Sequence, residues 1–215
     1  MLRREFIAGL GMLSLAGSGM ARAAVKNPLP AGGVTVTYRL LFGDSEIGTH
    51  KVHIRDHDQA GHVVIEHETK LEVRILFVVA YTLDHRSTEV WEGFTLKSVR
   101  SNTVENGKKT VVRGDTTDNG FRILDGRSEK LVPTGSVTTD SFWLAAAIDA
   151  PKIVNIRTGE AVSPTAKDLG NGRWQLKAAF DHGPIEATVR FDGDFLAEAT
   201  VDNDGHTIKM ERIKG

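Results

Sequence analysis

The chain has 215 residues, 27 lysines and arginines against 28 aspartates and glutamates, and no cysteine. A formal charge of −1 leaves no electrostatic footprint for nucleic acid or an anionic membrane surface. The missing thiols exclude disulfides and cysteine chemistry.

The first residues read as an export signal. Arg3 and Arg4 open it, Phe6 to Ala16 is a short apolar segment loosened by Gly9 and Gly11, and Ala21-Arg22-Ala23 offers small residues where a signal peptidase reads. Residues 1–23 are therefore expected to be cleaved after Ala23, with the product in the periplasm. The twin arginine followed by Phe6-Ile7 resembles the signal of the pathway that exports folded proteins; an ordinary secretory signal that carries two arginines is the alternative. No second apolar span and no lipidation cysteine follow, so no transmembrane span is expected in the mature protein. Residues 24–33 form a Pro/Gly-containing lead-in. Residues 34–215 are expected to form one domain, burying roughly 70% of the unfolded surface.

Val34, Val36, Tyr38, Leu40 and Phe42 alternate with polar residues, which predicts a first strand, turned by Gly43-Asp44-Ser45. Thr49 to Arg55 is a second strand, and Asp58 to Gly61 turns the chain again. Pairing His57 with His62 sets Lys51 opposite Glu68 and His53 opposite Glu66 on a wet face. It also sets Ile54 opposite Ile65 and Val52 opposite His67 on a dry one. A slip of one residue would mix the faces.

From His62 to Trp91 the alternation continues, too long for one ordinary strand: a long bent strand or two in sequence. Thr95 to Val104 runs back, Asn106-Gly107 signals a hairpin into Lys109 to Thr116, and Asp118-Asn119-Gly120 turns into Phe121 to Leu124. Val34 to Leu124 thus reads as a meander of about seven or eight strands. Thr138-Thr139-Asp140 resembles a set of helix caps before Ser141 to Ile148, a short helix around Trp143 that Pro151 stops. Lys152 to Ile156 fits a strand, Arg157-Thr158-Gly159 a turn, and Val162 to Gly172 a loop-rich stretch. Arg173 to Ala178, Ile185 to Phe191, Phe195 to Val201 and His206 to Ile213 close the chain as strands. The fold class is mainly β: an antiparallel, curved, open or broken barrel, with one short helix.

Glu89-Val90-Trp91-Glu92-Gly93-Phe94-Thr95-Leu96 carries a resemblance. This Glu-x-Trp-x-x-Gly-x-Leu run resembles a family of exported bacterial proteins of unknown function. The span Gly43 to Gly48, the aromatic Tyr81, Trp143 and the acidic turn at Phe191-Asp192-Gly193 fit it too. Related families are similar to broken barrels of the cell envelope and, distantly, to lipoprotein-sorting half-barrels. The resemblance implies an envelope location and an open barrel, and no reaction.

Candidate chemistry lies on the inner face. The register above puts His50, His67 and Thr69 with Val52, Ile54 and Ile65. If parity holds through Tyr81, then His85, Ser87 and Glu89 point inward with Leu83 and Trp91. Pairing Trp91 with Phe94 then adds Ser98 and Arg100, with His85 opposite Arg100. A bend near Val79 would instead turn this set to water. Buried charges need partners or solvent, so an inward set means a polar pocket or an ion-pair network. The five histidines His50, His53, His57, His62 and His67 do not converge on one point along strands, and Thr200 to Glu211 matches a calcium loop only in part. No metal or cofactor is expected.

The favoured function is a non-enzymatic periplasmic protein that holds a lipid or other apolar or amphipathic molecule in a concave β face. Phe77, Tyr81, Trp91 and Trp143 would be its anchors, and His50, His67, His85, Glu89 and Arg100 would orient the ligand. An envelope structural protein with a filled core is the second reading, and a hydrolase built on His85 and Glu89 the third.

Overall fold

The computed structural model describes residues 33–213 except 58–60, 94, 134–136, 142–147, 149, 182, 194 and 204–205. The expected signal segment, the lead-in up to residue 32 and most of the expected helix, Trp143 included, lie outside these residues. No helix is found among the described residues, and none that could cross a membrane.

Eight strands form a first antiparallel meander: β1 (Val34–Phe42), β2 (Ser45–Asp56), β3 (His62–Ile75), β4 (Val78–Glu92), β5 (Thr95–Glu105), β6 (Lys108–Thr117), β7 (Gly120–Leu124) and β8 (Glu129–Val132). A small three-stranded sheet follows, from β9 (Val137–Thr139), β10 (Lys152–Val154) and β11 (Ala161–Val162), with β9 and β10 parallel. A second meander closes the chain: β12 (Thr165–Gly170), β13 (Arg173–Phe180), β14 (Gly183–Asp192), β15 (Phe195–Asn203) and β16 (His206–Arg212). Pairing of β1 with β16 welds the meanders into one 13-stranded antiparallel sheet. Its outermost strands, β12 and β8, do not pair, so the sheet does not close into a barrel.

The β2–β3 register is the one the residue pattern predicts. Lys51 faces Glu68, His53 faces Glu66, Ile54 faces Ile65 and Val52 faces His67. The His57 amide donates to the His62 carbonyl at 3.0 Å, closing the hairpin. At the β5–β6 turn Asn106 and Gly107 both have positive φ, as a two-residue hairpin turn with matching twist requires. The long central run resolves into two strands, β3 and β4, folded back at Leu76-Phe77. Because Val73 pairs with Tyr81, odd-numbered residues of both strands share one face, and the inward parity survives the turn.

Two expectations change. Thr138 and Thr139 belong to β9, both buried, instead of capping a helix. The loop-rich stretch expected from Val162 contains the edge strand β12, exposed along its whole length. An edge strand held by backbone pairing alone needs no buried side chain, so it carries no alternation to detect.

The two meanders pack their inner faces into one core. Val52, Ile54, Ile65, Leu96 and Val112 come from the first, and Leu176, Val189, Leu196 and Ala199 from the second. Tyr38 on β1 joins them: its hydroxyl donates to the Leu196 carbonyl at 2.8 Å, and burial pushes its pKa up to about 12. Gly48 marks a close approach. A Cβ built there would lie 2.0 Å from the Lys70 carbonyl oxygen and 2.6 Å from the Leu71 Cα. Both obstacles are backbone, so neither can swing aside. Gly48→Ala is expected to lower stability by about 1–3 kcal/mol through overpacking, read as a fall in the urea midpoint at unchanged m-value.

Candidate functional site

Register and parity build the inner face row by row. Tyr38, His50, Thr69, His85 and Thr103 are successive cross-strand partners on β1 to β5. The next row runs Val52, His67, Ser87, Ser101, and the one after it Ile54, Ile65, Glu89, Val99. Leu71 and Leu83 face each other on the far side of the first row. Two polar rows thus cross an otherwise apolar surface.

Within the first row each histidine finds a hydroxyl on the neighbouring strand. His50 Nδ1 lies 2.7 Å from Thr69 Oγ1, and His85 Nδ1 lies 2.8 Å from Thr103 Oγ1. The second row is less satisfied. His67 is 3% exposed, yet neither ring nitrogen has a hydrogen-bond partner, and His85 Nε2 and Ser87 Oγ are also buried and unpaired. His67 Nε2 approaches Glu89 Oε1 only to 3.6 Å, too far for a hydrogen bond. Glu89, fully buried, is held elsewhere: Trp91 Nε1 donates to its Oε2 at 2.8 Å, and Ser141 Oγ to its Oε1 at 3.0 Å. The His50 and His67 rings stack at 5.5 Å between centroids.

These imidazoles are neutral near pH 7. Burial lowers the His67 pKa to about 4. It lowers His50 and His85 to about 3, with the neighbouring His67 adding to the shift in each. Asp140 is pushed the other way, above the usual carboxylate range, by burial that the nearby Arg157 partly offsets; its carboxylate accepts the Ile156 amide at 3.0 Å.

His50, His67, Thr69 and His85 line a cavity of about 260 Å³, with Asp140, Ser141 and Arg157 at the same polar end. The rest of its wall is apolar, aliphatic side chains such as Leu71, Leu83, Leu176, Ala187 and Val189 together with Phe180 and Met210. The cavity therefore lies between the two meanders and the small sheet, lined by residues far apart in sequence.

The predicted set divides. His50, His67 and His85 come together on the cavity. Trp91 and Glu89 point inward as expected but sit in the packed face beside it, away from the cavity lining. Tyr81 is half-buried at the sheet margin, where its hydroxyl donates to Glu105. Phe77 is 95% exposed at the β3–β4 turn and anchors nothing inside. Arg100 is exposed on the outer face, bound to the Val99 and Gly114 carbonyls and to Asp115. The expected pairing of Trp91 with Phe94 does not occur: Trp91 faces Leu96, and a bulge after Val90 sets His85 opposite Thr103 and Arg100 opposite Thr88. Trp143 lies outside the described residues.

Asp140 and Arg157, a cap and a turn by residue pattern, also reach the cavity, and no signal in the sequence points there. They sit on connections between strands, where no periodicity marks a facing direction. His85 and Glu89 lie four residues apart on one strand, about 13 Å. Only His85 reaches the cavity, so the acid–base pairing of the hydrolase reading is not assembled. Among the described residues no group of three or more histidines and carboxylates is placed to hold a metal ion.

Residues 38–213 match the family model described as Domain of unknown function (DUF6134). No curated protein matches the chain. Among solved structures, the chain is similar to the beta-barrel-like protein of domain of unknown function DUF1849 from Brucella abortus. The TM-score is 0.59 at 10% identity, over 84% of this chain and 95% of that one, a likeness of fold alone.

The buried histidines make stability depend on pH. Their folded pKa values lie below the ~6.5 of an unfolded chain, so between those limits the unfolded chain binds more protons. Stability should then fall as pH drops from about 6.5 toward 4. Asp140, raised by folding, works in the opposite sense. Urea unfolding is expected to show a loss of a few kcal/mol between pH 7 and pH 5, at ~1.4 kcal/mol per unit per group before coupling. A His67→Gln/His85→Gln variant should show a clearly flatter slope.

Proposed function

The chain belongs to the DUF6134 family of domains of unknown function, and on that footing we propose that it is an exported periplasmic binding protein. Its ligand is an amphipathic small molecule of the cell envelope, held in the cavity between the two meanders. The twin-arginine-type signal over residues 1–23 supports the location, with residues 34–215 as a single domain behind it.

One observation carries the reading. An apolar wall meets a cluster of polar atoms that lack a hydrogen bond within the protein: both nitrogens of His67 and Nε2 of His85. Leaving buried polar groups unpaired costs about 1–3 kcal/mol each. A ligand whose apolar body lies along Leu176, Ala187 and Val189, and whose head carries oxygen atoms, supplies those hydrogen bonds. Neutral imidazoles suit hydroxyl and carbonyl oxygens, since each ring offers one donor and one acceptor. Arg157 and Asp140 flank the head and fix its orientation. The packed face around Trp91 and Val99 serves as scaffold, and an envelope interaction protein with no small-molecule ligand is the competing reading.

Mass spectrometry of organic extracts from protein purified out of expressing cells is expected to find one retained amphiphile class. Ala187→Phe, which fills the cavity, should reduce retention at least tenfold. Arg157→Gln should weaken it several-fold without emptying the site. Preparations that hold nothing and take up no fluorescent fatty-acid probe would sink the proposal in favour of the interaction protein.

A further inference from the structure

The β3–β4 hairpin outruns the sheet. Pairing of β2 with β3 ends at Gly48 opposite Leu71, and pairing of β4 with β5 ends at Leu83 opposite Glu105. Asn106 still caps Thr82 through both its amide and its side chain. Tyr81 still reaches β5 through its hydroxyl on Glu105, but from Val73 to Ala80 no other strand pairs with the hairpin on either side among the described residues. It is a free two-stranded ribbon, and such ribbons are marginal in water without a face to bury.

Its tip is apolar and bare. Leu76, Phe77 and Val78 are 88%, 95% and 69% exposed, and Val79 is 43% exposed. Leu76 also occupies the turn with φ of 57°, a left-handed conformation that glycine or asparagine takes far more readily than leucine. A two-residue turn with positive φ at its first position alone takes glycine there most readily. This one carries leucine at that position, against backbone preference, and exposes Leu-Phe to water; such local conflicts mark function. The charges behind the tip, Glu72 and Arg74, pair with each other across 2.5 Å and leave no net field.

We propose that the β3–β4 ribbon is a membrane-docking arm whose Leu76-Phe77-Val78 tip inserts into the interfacial zone of a lipid bilayer. The shape selects this occupant over a protein. Four side chains at a convex point fall well short of the ~800 Å² that each partner of a stable complex buries, second copies of this chain included. A narrow apolar wedge with an aromatic at its apex fits the acyl–headgroup boundary, where such groups settle. The paired charges make the attachment apolar in origin, so it is insensitive to salt. Affinity is modest and reversible, on the order of that of a single acyl chain, ~10⁴ M⁻¹. The ribbon's root at Leu71 and Leu83 is also part of the cavity wall, so a docked arm places the cavity beside the bilayer. The docking itself stands whether or not the cavity holds a ligand.

Flotation of the protein, as processed in the expressing cell, with phosphatidylethanolamine/phosphatidylglycerol vesicles tests this. The expected result is co-flotation that persists at 1 M salt and drops at least tenfold in Leu76→Asn/Phe77→Ser. Asparagine suits the left-handed position, so the variant keeps its turn, and unchanged urea unfolding will verify its fold. In a second measurement, Phe77→Trp gains fluorescence that brominated acyl chains quench. The inference is overturned if the wild-type protein does not float, or if the double variant floats equally well. It is also overturned if the introduced tryptophan stays unquenched, or if the tip instead mediates a dimer that the double variant abolishes without vesicles.

Discussion

One register holds the inner face of this protein together. Ile54 opposite Ile65 on β2 and β3 fixes which residues of the adjoining stretches of β4 and β5 look inward, because side chains alternate with a period of two and each pairing passes the parity on until a bulge resets it. From that pair the order propagates to β4 through Ile65 and Glu89, and to β5 through Glu89 and Val99. A slip by one residue would put Glu66 and Glu68 into the core and Ile65 into water. The apolar cost makes the register close to obligatory, and the polar rows arrive inside as a consequence.

Those polar rows set the tension of the structure. Imidazoles carried into an apolar interior must shed their charge, and His50, His67 and His85 do so. Threonines on the adjoining strands satisfy two of them, while Glu89 is taken up by Trp91 and Ser141 and offers His67 no hydrogen bond. A core selected for packing alone would hold leucine or valine at these positions. The imbalance between a well-packed face around Trp91 and an under-satisfied cavity beside it separates scaffold from site.

A second imbalance sits at the other end of the same hairpin. β3 and β4 run the full height of the sheet and beyond it, so one pair of strands contributes Leu71 and Leu83 to the cavity wall and an apolar point to the outside. The membership of DUF6134 and the likeness to a beta-barrel-like DUF1849 protein fit an open, curved sheet. Neither assigns chemistry to it.

The strands from Val34 to Leu124, the β2–β3 register and the inward facing of His67 were legible in the residues, whereas for His85 and Glu89 both directions stayed open until the turn between β3 and β4 was known. Each legible feature depends on alternation and on nearest-neighbour pairing, which are local in sequence. The β3–β4 turn at Leu76-Phe77 was not, because apolar residues there continue the pattern of the strands instead of breaking it. The bulge at Val90 that turned Arg100 outward was equally silent: one extra residue leaves no mark on composition. The apolar wall from β13 to β15 reached the histidines through the pairing of β1 with β16, and Asp140 and Arg157 through the small sheet, which packs on β5 and takes a hydrogen bond from Ser101 at the Ile156 carbonyl. The sequence by itself determined the mainly β class and the facing of residues along the unbulged strands of the first hairpins, since both follow from a period of two. Only the tertiary structure decided that a cavity stands over the three histidines, since its far wall comes from strands remote in the chain, and that Phe77 meets solvent, since that rests on where β3 turns back into β4.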